Sequence, residues 1–232
     1  MFFNGHEEQS FLNPIRHPNS LAQTAVRIAP GRAEIRNRII YPVILPVPEE
    51  GRSLRRREKV VYLSRHARVA LKLSAEKSRI QLGKLLKDAD GAPLPSEGSC
   101  WSLSHKSDYV AAVVSTSRIG IDVEEIRPCS EALFKKVAND REWSLFDKTS
   151  DPFGHFFRCW TAKEAVLKAT GTGFKGMSKC RIERILDSTN LVINYMDLEW
   201  FIEHFFFNGH IASVVKNEFQ IQWTISSFPT SP

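Results

Sequence analysis

Apolar residues recur at helical spacing in two stretches of the chain. One face of the first stretch carries Leu63, Ala67, Ala70, Leu71 and Ser74. Their spacing predicts an amphipathic helix that opens near Ser53. The second stretch keeps a helical pattern over residues 155–170 and stops at Gly171, a residue type that commonly ends helices. Polar, helical-looking sequence predicts further helices over 76–87 and 130–148.

Short apolar runs bounded by turn residues predict strands. The predicted strands are residues 101–104, 109–115, 119–124, 191–195, 198–207 and 211–215. Asn208-Gly209 between the last two is a strong hairpin signal, and the strict alternation of 219–225 predicts a strand with one buried face. Prolines confine residues 39–48 to an edge strand or an extended segment. Residues 1–38 read as an irregular lead-in.

The two halves of the chain repeat two short strings in the same order. Val69–Ser74 is similar to Ala165–Thr170, and Tyr109–Val114 is similar to His210–Val215, with offsets of 96 and 101 residues. Each pair consists of a predicted helix followed by a predicted strand. The repeat indicates a duplicated α+β lobe of about 110 residues.

Composition narrows the class of protein. The chain has 232 residues, of which 42% are apolar and 25% charged, the balance of a soluble globular protein rather than a disordered or fibrous one. No apolar run approaches the ~20 residues that span a bilayer, and the N-terminus lacks a signal-peptide pattern, so we expect a cytoplasmic protein without membrane contact. The 4 cysteines form no C-x-x-C motif, which argues against a zinc ribbon and favours free thiols.

The net charge of +6 is concentrated in the first half of the chain. Residues 1–118 hold 19 Lys and Arg against 11 Asp and Glu, whereas residues 119–232 hold 13 against 15. These ranges are the two predicted lobes. A basic lobe suggests a polyanionic partner, such as nucleic acid, a nucleotide cofactor or an acidic protein. A basic face that contacts only solvent fits the charge equally well.

One polar cluster lies on the loop between two predicted strands, and another lies on a predicted strand. Ser104, His105 and Lys106 follow one strand. Neighbouring side chains on extended backbone point apart, so these residues favour phosphate recognition over a nucleophile–base pair, with a plain polar loop as the alternative. Asp122 and Glu124 are two residues apart and share one face of another strand. Such carboxylates suit Mg²⁺, although an acidic strand end facing solvent has the same pattern.

The third cluster lies on the second helix. Trp160, Glu164 and Lys168 follow at intervals of four residues, opposite an apolar stripe that includes Ala162 and Ala165. An ordinary surface Glu–Lys pair is one interpretation. Because a solvated face rarely carries a tryptophan, the pattern instead favours a helix with two interfaces, one of which is a cleft against the other lobe.

Four strings occur in a fixed order. They are Gly91-Ala-Pro93, Trp101-Ser-Leu-Ser-His105, Gly120-Ile-Asp-Val-Glu124 and Trp160-Thr-Ala-Lys-Glu-Ala165 with Lys168. In this order they resemble the 4′-phosphopantetheinyl transferases of the surfactin-synthetase-activating type. The resemblance covers about residues 90–175. It implies an α+β pseudo-dimer of two similar lobes, each a small mostly antiparallel sheet with a packed long helix, and coenzyme A bound in the cleft between them.

The resemblance also implies an activity. The enzyme would transfer 4′-phosphopantetheine from coenzyme A to a serine of an acidic acyl or peptidyl carrier protein and release 3′,5′-ADP. It would be a Mg²⁺-dependent monomer with internal two-fold pseudosymmetry.

Site residues follow from the same resemblance. The implied metal ligands are Asp122, Glu124 and Glu164, with Glu164 also the candidate base and Lys168 and Lys163 neutralising phosphate charge. The implied coenzyme A contacts are Ser104, His105, Lys106, Gly91, Pro93 and Lys168, with His105 at the 3′-phosphate.

Some positions depart from the family pattern or stay open. Ala92 stands where relatives often carry a lysine, and Lys106 stands where many have serine. Arg55, Arg56 and Arg57, or Arg65 and Arg68, are candidate adenine-nucleotide contacts, with a solvated helix start as the alternative. Lys135 and Lys136 are candidate carrier contacts.

Two other functions remain as alternatives. One is a catalytically inactive relative that binds coenzyme A or a carrier, against which stands the presence of all three carboxylates and both lysines. The other is a basic nucleic-acid-binding protein, against which stands the scarcity of aromatic residues near the arginines.

Overall fold

The structure is a computed structural model that describes residues 38–146 and 151–225. Almost all of the predicted lead-in, 1–38, therefore lies outside the described residues. Residues 38–146 and 151–225 fall within one compact unit. No helix among them is long and apolar enough to cross a membrane.

Eleven strands and five α-helices make up the described fold. The strands are β1 (Ile39–Ile40), β2 (Val43–Pro46), β3 (Cys100–His105), β4 (Tyr109–Ser115), β5 (Ile121–Glu125), β6 (Arg181–Ile185), β7 (Asn190–Tyr195), β8 (Leu198–Phe207), β9 (His210–Val215), β10 (Gln220–Ile221) and β11 (Thr224–Ile225). The helices are α1 (Glu49–Ser53), α2 (Arg56–Ser78), α3 (Glu131–Val137), α4 (Asp140–Trp143) and α5 (Pro152–Thr170), and a 3-10 helix spans Phe174–Lys179.

The first sheet has the strand order β11-β2-β4-β3 and packs against α2. The predicted apolar face of α2 is confirmed, since all five of its residues are buried. The proline-broken segment, predicted to be an edge strand or an extended segment, contains β1 and β2, and β2 does not lie at the edge of its sheet. The short strand β11 runs parallel to β2 and covers that edge, while Pro46, which has no N–H to donate, lies at the last position of β2.

The second sheet has the order β5-β9-β8-β7-β6, and all its neighbours are antiparallel. Helix α5 packs on β5 and β9. The predicted hairpin is confirmed, because β8 and β9 meet at Asn208 and Gly209, which have φ values of 42° and 72°. Gly171 ends α5 in the left-handed conformation, as its position in the sequence predicts. Strand β6 was not predicted.

Two predicted helices differ from the structure. The predicted helix over 76–87 is wrong, because α2 ends at Ser78. The next residue, Arg79, adopts a left-handed conformation, and its backbone N–H donates hydrogen bonds to the carbonyls of Ala75 and Glu76. No regular helix follows up to residue 99. The segment predicted over 130–148 is divided into α3 and α4, and its last two residues lie outside the described part of the chain.

The two sheets meet at β3 and β5. The Ser102 hydroxyl accepts a hydrogen bond of 3.1 Å from the Ile121 backbone N–H. The repeated strings lie in comparable places, one pair in the second halves of α2 and α5 and the other on β4 and β9. The described chain is therefore α+β, with two larger, mainly antiparallel sheets, each packed against a long helix, and a third sheet in which β1 and β10 pair in parallel. The two-fold pseudosymmetry and the lobe boundaries stay predictions.

Candidate functional site

The strand β5 buries a pair of carboxylates. Ile121 and Val123 lie in the core with 0% exposure. On the opposite face Asp122 and Glu124 are only 4% and 7% exposed. The alternation of the strand thus places both carboxylates together, as predicted, and the alternative of a solvent-facing acidic strand end does not hold.

A close approach of backbone brings β5 against α5. A Cβ atom on Gly120 would overlap the carbonyl oxygen of Ala165 in α5, so a residue with a side chain cannot be accommodated without displacing one of the two elements. Glu164 and Lys168 lie on α5 on either side of this contact and one turn apart. The glycine therefore sets the distance between the acidic strand and the Glu–Lys pair.

Asp122 links the two sheets to α5. Its Oδ1 accepts a hydrogen bond of 2.7 Å from the Ser104 hydroxyl of β3 and lies 2.7 Å from the Lys168 ammonium. Lys168 Nζ also donates to the Ile121 carbonyl at 3.1 Å. Three elements that are far apart in the sequence thus converge on one carboxylate oxygen.

A second ion pair joins the sheets beside the first. Lys106 Nζ, at the end of β3, lies 2.8 Å from Glu124 Oε2. Burial raises the pKa of Glu124, and the charge of Asp122 adds to this effect while Lys106 opposes it. Burial also lowers the pKa of His105, as do the positive charges of Lys168 and Lys106. These causes favour the neutral form of the His105 imidazole, which lies near positive charges.

Glu164 is half-buried beside the same charges. Burial raises its pKa, with further contributions from Asp122 and Glu124, while Lys168 lowers it. A carboxylate with a raised pKa is suited to accepting a proton near neutral pH.

Glu164 and Lys168 line a cavity of about 460 Å³ together with Gly91 and Pro93. The predicted coenzyme A turn therefore faces the predicted catalytic helix across this cavity.

The structure does not bring Lys163 to this cavity, in contrast to the prediction that it neutralises phosphate charge. Its side chain is 1% exposed, and Nζ lies 2.6 Å from Glu142 Oε1 and donates to the Val137 carbonyl at 2.7 Å. The next residue, Glu164, faces the site, so Lys163 points to the other side of the helix. Lys163 connects α5 to α3 and α4.

The comparisons with known proteins agree with this arrangement. Residues 118–224 match the family model of the 4′-phosphopantetheinyl transferase superfamily. The matched segment contains β5 and α5, which carry both carboxylates of the strand and the Glu–Lys pair. Over these residues the chain is therefore similar to the 4′-phosphopantetheinyl transferase superfamily. The resemblance drawn from the sequence motifs, including the surfactin type, is confirmed.

Individual relatives match over segments of 75 to 154 residues. The 4′-phosphopantetheinyl transferase HetI of Nostoc sp. is 38% identical over 97 residues, or 40% of this chain and 41% of that protein. The 4′-phosphopantetheinyl transferase Sfp of Bacillus subtilis is 31% identical over 75 residues, 32% and 34% of the two chains. A human L-aminoadipate-semialdehyde dehydrogenase-phosphopantetheinyl transferase is 28% identical over 154 residues, 57% and 50%. In these three the match spans half of the relative's length or less.

The residues of the site fit the metal ion that the resemblance implies only in part. Among residues 38–146 and 151–225, no three His, Cys, Asp or Glu side chains are placed to hold a metal ion. The predicted ligand set of Asp122, Glu124 and Glu164 is not assembled, because lysines pair with the first two. However, Asp122 Oδ2 is buried and has no hydrogen-bond partner within the described chain, and three carboxylates face two ammonium groups. Both features fit a cation beside Asp122.

Other predicted residues lie away from the cavity. Arg55, Arg56, Arg57, Arg65 and Arg68 are exposed on or beside α2, and none lines the cavity of Glu164 and Lys168. Lys135 and Lys136 are exposed on α3, where Lys135 pairs with Glu131 at 3.0 Å. These roles stay predictions.

Sequence reasoning missed two residues. Glu142, the buried partner of Lys163, belongs to a capping box with Asn139, and the N-x-x-E pattern signals such a box. Lys87 lines the cavity, and no sequence pattern indicates it.

Proposed function

We propose that this chain transfers the 4′-phosphopantetheine group of coenzyme A to a serine of an apo acyl or peptidyl carrier protein and releases 3′,5′-ADP. The observation that carries the proposal is the meeting of Ser104, Asp122 and Lys168, one residue from each of β3, β5 and α5, at hydrogen-bond distance. The match of residues 118–224 to the superfamily model supports it, as do relatives named 4′-phosphopantetheinyl transferase.

Lysines held by carboxylates are suited to binding pyrophosphate. Lys168 is 27% exposed on its side chain and Lys106 is 41% exposed, although each contacts a buried carboxylate. Their ammonium groups therefore remain accessible, with their positions fixed on one side. We assign Lys168 to the pyrophosphate of coenzyme A, and Ser104, His105 and Lys106 to the 3′-phosphate side, where a neutral imidazole can donate one hydrogen bond.

Glu164 is the proposed base. It takes the proton of the carrier serine, whose oxygen bonds to the phosphorus that carries the pantetheine. The bond from that phosphorus to the bridging oxygen of the pyrophosphate breaks, and the electron pair leaves with 3′,5′-ADP. Lys168 stabilises the negative charge on the departing phosphate and can donate a proton to it.

Asp122, Glu124 and Glu164 are the residues that would hold Mg²⁺. When bound, the ion would stabilise negative charge on pyrophosphate oxygens. The acidity of the carrier, the monomeric state, the cytoplasmic location and the absence of nucleic-acid and membrane partners stay predictions that come with this proposal.

The test is transfer to a carrier. The protein is incubated with coenzyme A, Mg²⁺ and either an apo acyl carrier protein or an apo peptidyl carrier domain, and the carrier is weighed by intact-mass spectrometry. We expect a gain of one phosphopantetheine, which is lost when the modified serine is replaced by alanine. No gain on either carrier, despite measurable coenzyme A binding, would identify an inactive relative instead.

A pair of matched variants tests the site. Asp122→Asn keeps the shape of the side chain but removes the charge that pairs with Lys168, and we expect transfer to fall by roughly 100-fold or more while the fold is kept. Asp140→Asn, an exposed residue of α4, is the control and should leave the rate unchanged. Wild-type turnover in Asp122→Asn would remove Asp122 from the mechanism.

A further inference from the structure

A buried series of hydrogen bonds joins α5 to β9 and β8. The Thr161 hydroxyl of α5 donates to the Phe157 carbonyl at 2.7 Å, as a threonine inside a helix often does. Thr161 Oγ1 also lies 2.5 Å from Ser213 Oγ, and Ser213 Oγ lies 2.7 Å from His204 Nδ1. Thr161 and Ser213 are 0% exposed and His204 is 2% exposed, so bulk water does not compete for these bonds.

Only one order of protons satisfies this series. A hydroxyl has one proton, and Thr161 donates it to the Phe157 carbonyl, which can only accept. Thr161 Oγ1 must therefore accept from Ser213, and Ser213 Oγ must accept from His204 Nδ1. Burial favours a neutral imidazole, because it lowers the pKa of His204 well below its ordinary value of 6.5. The single ring proton thus lies on Nδ1, and Nε2 is an acceptor.

Two buried polar atoms of this region have no hydrogen-bond partner within the described chain. They are His204 Nε2 and Arg158 Nε. Arg158 lies on α5 three residues before Thr161, and its Nη2 donates to the Asn190 carbonyl at 3.0 Å. The backbone N–H of His204 donates to the Thr189 carbonyl at 2.7 Å. Both residues therefore contact consecutive carbonyls where β7 begins.

The chemistry of the two atoms selects what can lie between them. Arg158 Nε–H can only donate, whereas the unprotonated His204 Nε2 can only accept. An anion would face the lone pair of the imidazole, and a cation would face the guanidinium charge. A water molecule can accept from the first group and donate to the second, and buried waters commonly satisfy polar groups of this kind.

We propose that one buried water molecule binds between Arg158 and His204, accepting from Arg158 Nε–H and donating to His204 Nε2. With this water the hydrogen bonds leave α5 at Arg158, pass through His204 and Ser213, and return to the same helix at Thr161. They hold α5 against β8 and β9. None of these four residues lines the cavity that Glu164 borders, so the inference does not depend on the proposed function.

The first test measures the order of protons. Long-range proton–nitrogen correlation spectra of the isotope-labelled protein distinguish the two imidazole tautomers, and the His204 signals are identified by their loss in His204→Gln. At pH 7.5 we expect the Nδ1–H tautomer. Thr161→Val removes the acceptor of the Ser213 proton. That proton should then turn to His204 Nδ1, so the ring proton should move to Nε2.

Thr170→Val is the matched control for this variant. The Thr170 hydroxyl also donates to the carbonyl four residues earlier in α5, at 3.0 Å, but it makes no hydrogen bond to Ser213. Its loss should leave the tautomer of His204 unchanged. An Nε2–H tautomer in the unmodified protein, an unchanged tautomer in Thr161→Val, or the same change in Thr170→Val would overturn the proton order.

The second test locates the water. In a crystal structure at a resolution that shows ordered solvent, we expect one water within about 2.7–3.2 Å of both Arg158 Nε and His204 Nε2. A direct hydrogen bond between the two side chains, or the lack of any water shared by both atoms, would overturn the proposed site. The tautomer of the unmodified protein and the crystal structure decide the inference even if Thr161→Val does not fold.

Discussion

Loss of the buried ammonium of Lys163 should destabilise the protein rather than weaken coenzyme A binding. Lys163→Met keeps the length of the side chain and removes its charge. Glu142 then stays buried, 5% exposed on its side chain, without the cation that lay 2.6 Å from it. The Val137 carbonyl loses its donor as well.

The expected cost follows from these contacts. Removing one partner of a buried ion pair typically costs about 3–5 kcal/mol. The Glu142 carboxylate retains two backbone donors, Ile182 N at 2.9 Å and Asn139 N at 3.0 Å, which favours the lower end. Lys135→Met is the matched control, because Lys135 pairs with Glu131 at the surface, and it should cost no more than about 1 kcal/mol.

Urea unfolding followed by tryptophan fluorescence measures both variants. We expect Lys163→Met to shift the midpoint without changing the slope with denaturant. We also expect the KM for coenzyme A to stay unchanged at temperatures where the variant is folded. A loss of stability no larger than that of Lys135→Met, or a raised coenzyme A KM at unchanged stability, would refute the placement of Lys163 behind the site.

Three further predictions concern pH, packing and the carrier. Burial and the positive charge of Arg158 lower the pKa of His204 well below its ordinary value of 6.5. Below pH 6.5 the unfolded chain therefore binds a proton that the folded chain does not. The free energy of unfolding should fall by up to about 1.4 kcal/mol per pH unit in that range. In urea titrations between pH 7.5 and 5, His204→Gln should reduce this dependence. Gly120→Ala should cost about 1–3 kcal/mol and lower the transfer rate, because its methyl group must displace β5 from α5. A wild-type melting temperature would contradict this. Lys135→Glu combined with Lys136→Glu should raise the KM for an acidic carrier at low salt and leave the coenzyme A KM unchanged, and an unchanged carrier KM would show that the carrier binds elsewhere.

The spacing of apolar residues predicted the buried face of a helix, and glycine and asparagine predicted where elements end. The five residues assigned to the apolar face of α2 are all buried, and Gly171 and Asn208-Gly209 mark the end of α5 and the β8–β9 hairpin. The spacing of apolar residues does not predict which strands pair, because tertiary contacts determine the pairing. The alternating segment 219–225 gives two short strands, and both pair with strands near the start of the described chain. Alternation indicates a strand but not its partner.

Lys163 illustrates a second limit of sequence patterns. A helical wheel treats a lysine as solvent-facing, because burying an ammonium is costly unless a counter-charge is buried with it. Glu142 supplies that counter-charge from 21 residues earlier in the chain. The sequence pattern around Glu142 is that of a capping box, which predicts where a helix starts. It does not indicate what the other oxygen of the Glu142 carboxylate contacts.

At the candidate site, sequence motifs predicted that Asp122 and Glu124 share one face of a strand, but not the residues with which they pair. Asp122 and Glu124 were expected to bind a cation between them, whereas each contacts a lysine from another element, Lys168 of α5 and Lys106 at the end of β3. The pairing has a physical reason. Two buried carboxylates on one face of a strand repel each other, and an ammonium group beside each one relieves that repulsion. The Asp122 carboxylate holds Lys168 at the border of the cavity, so the charge that would receive a pyrophosphate in the proposed function is already oriented before it binds.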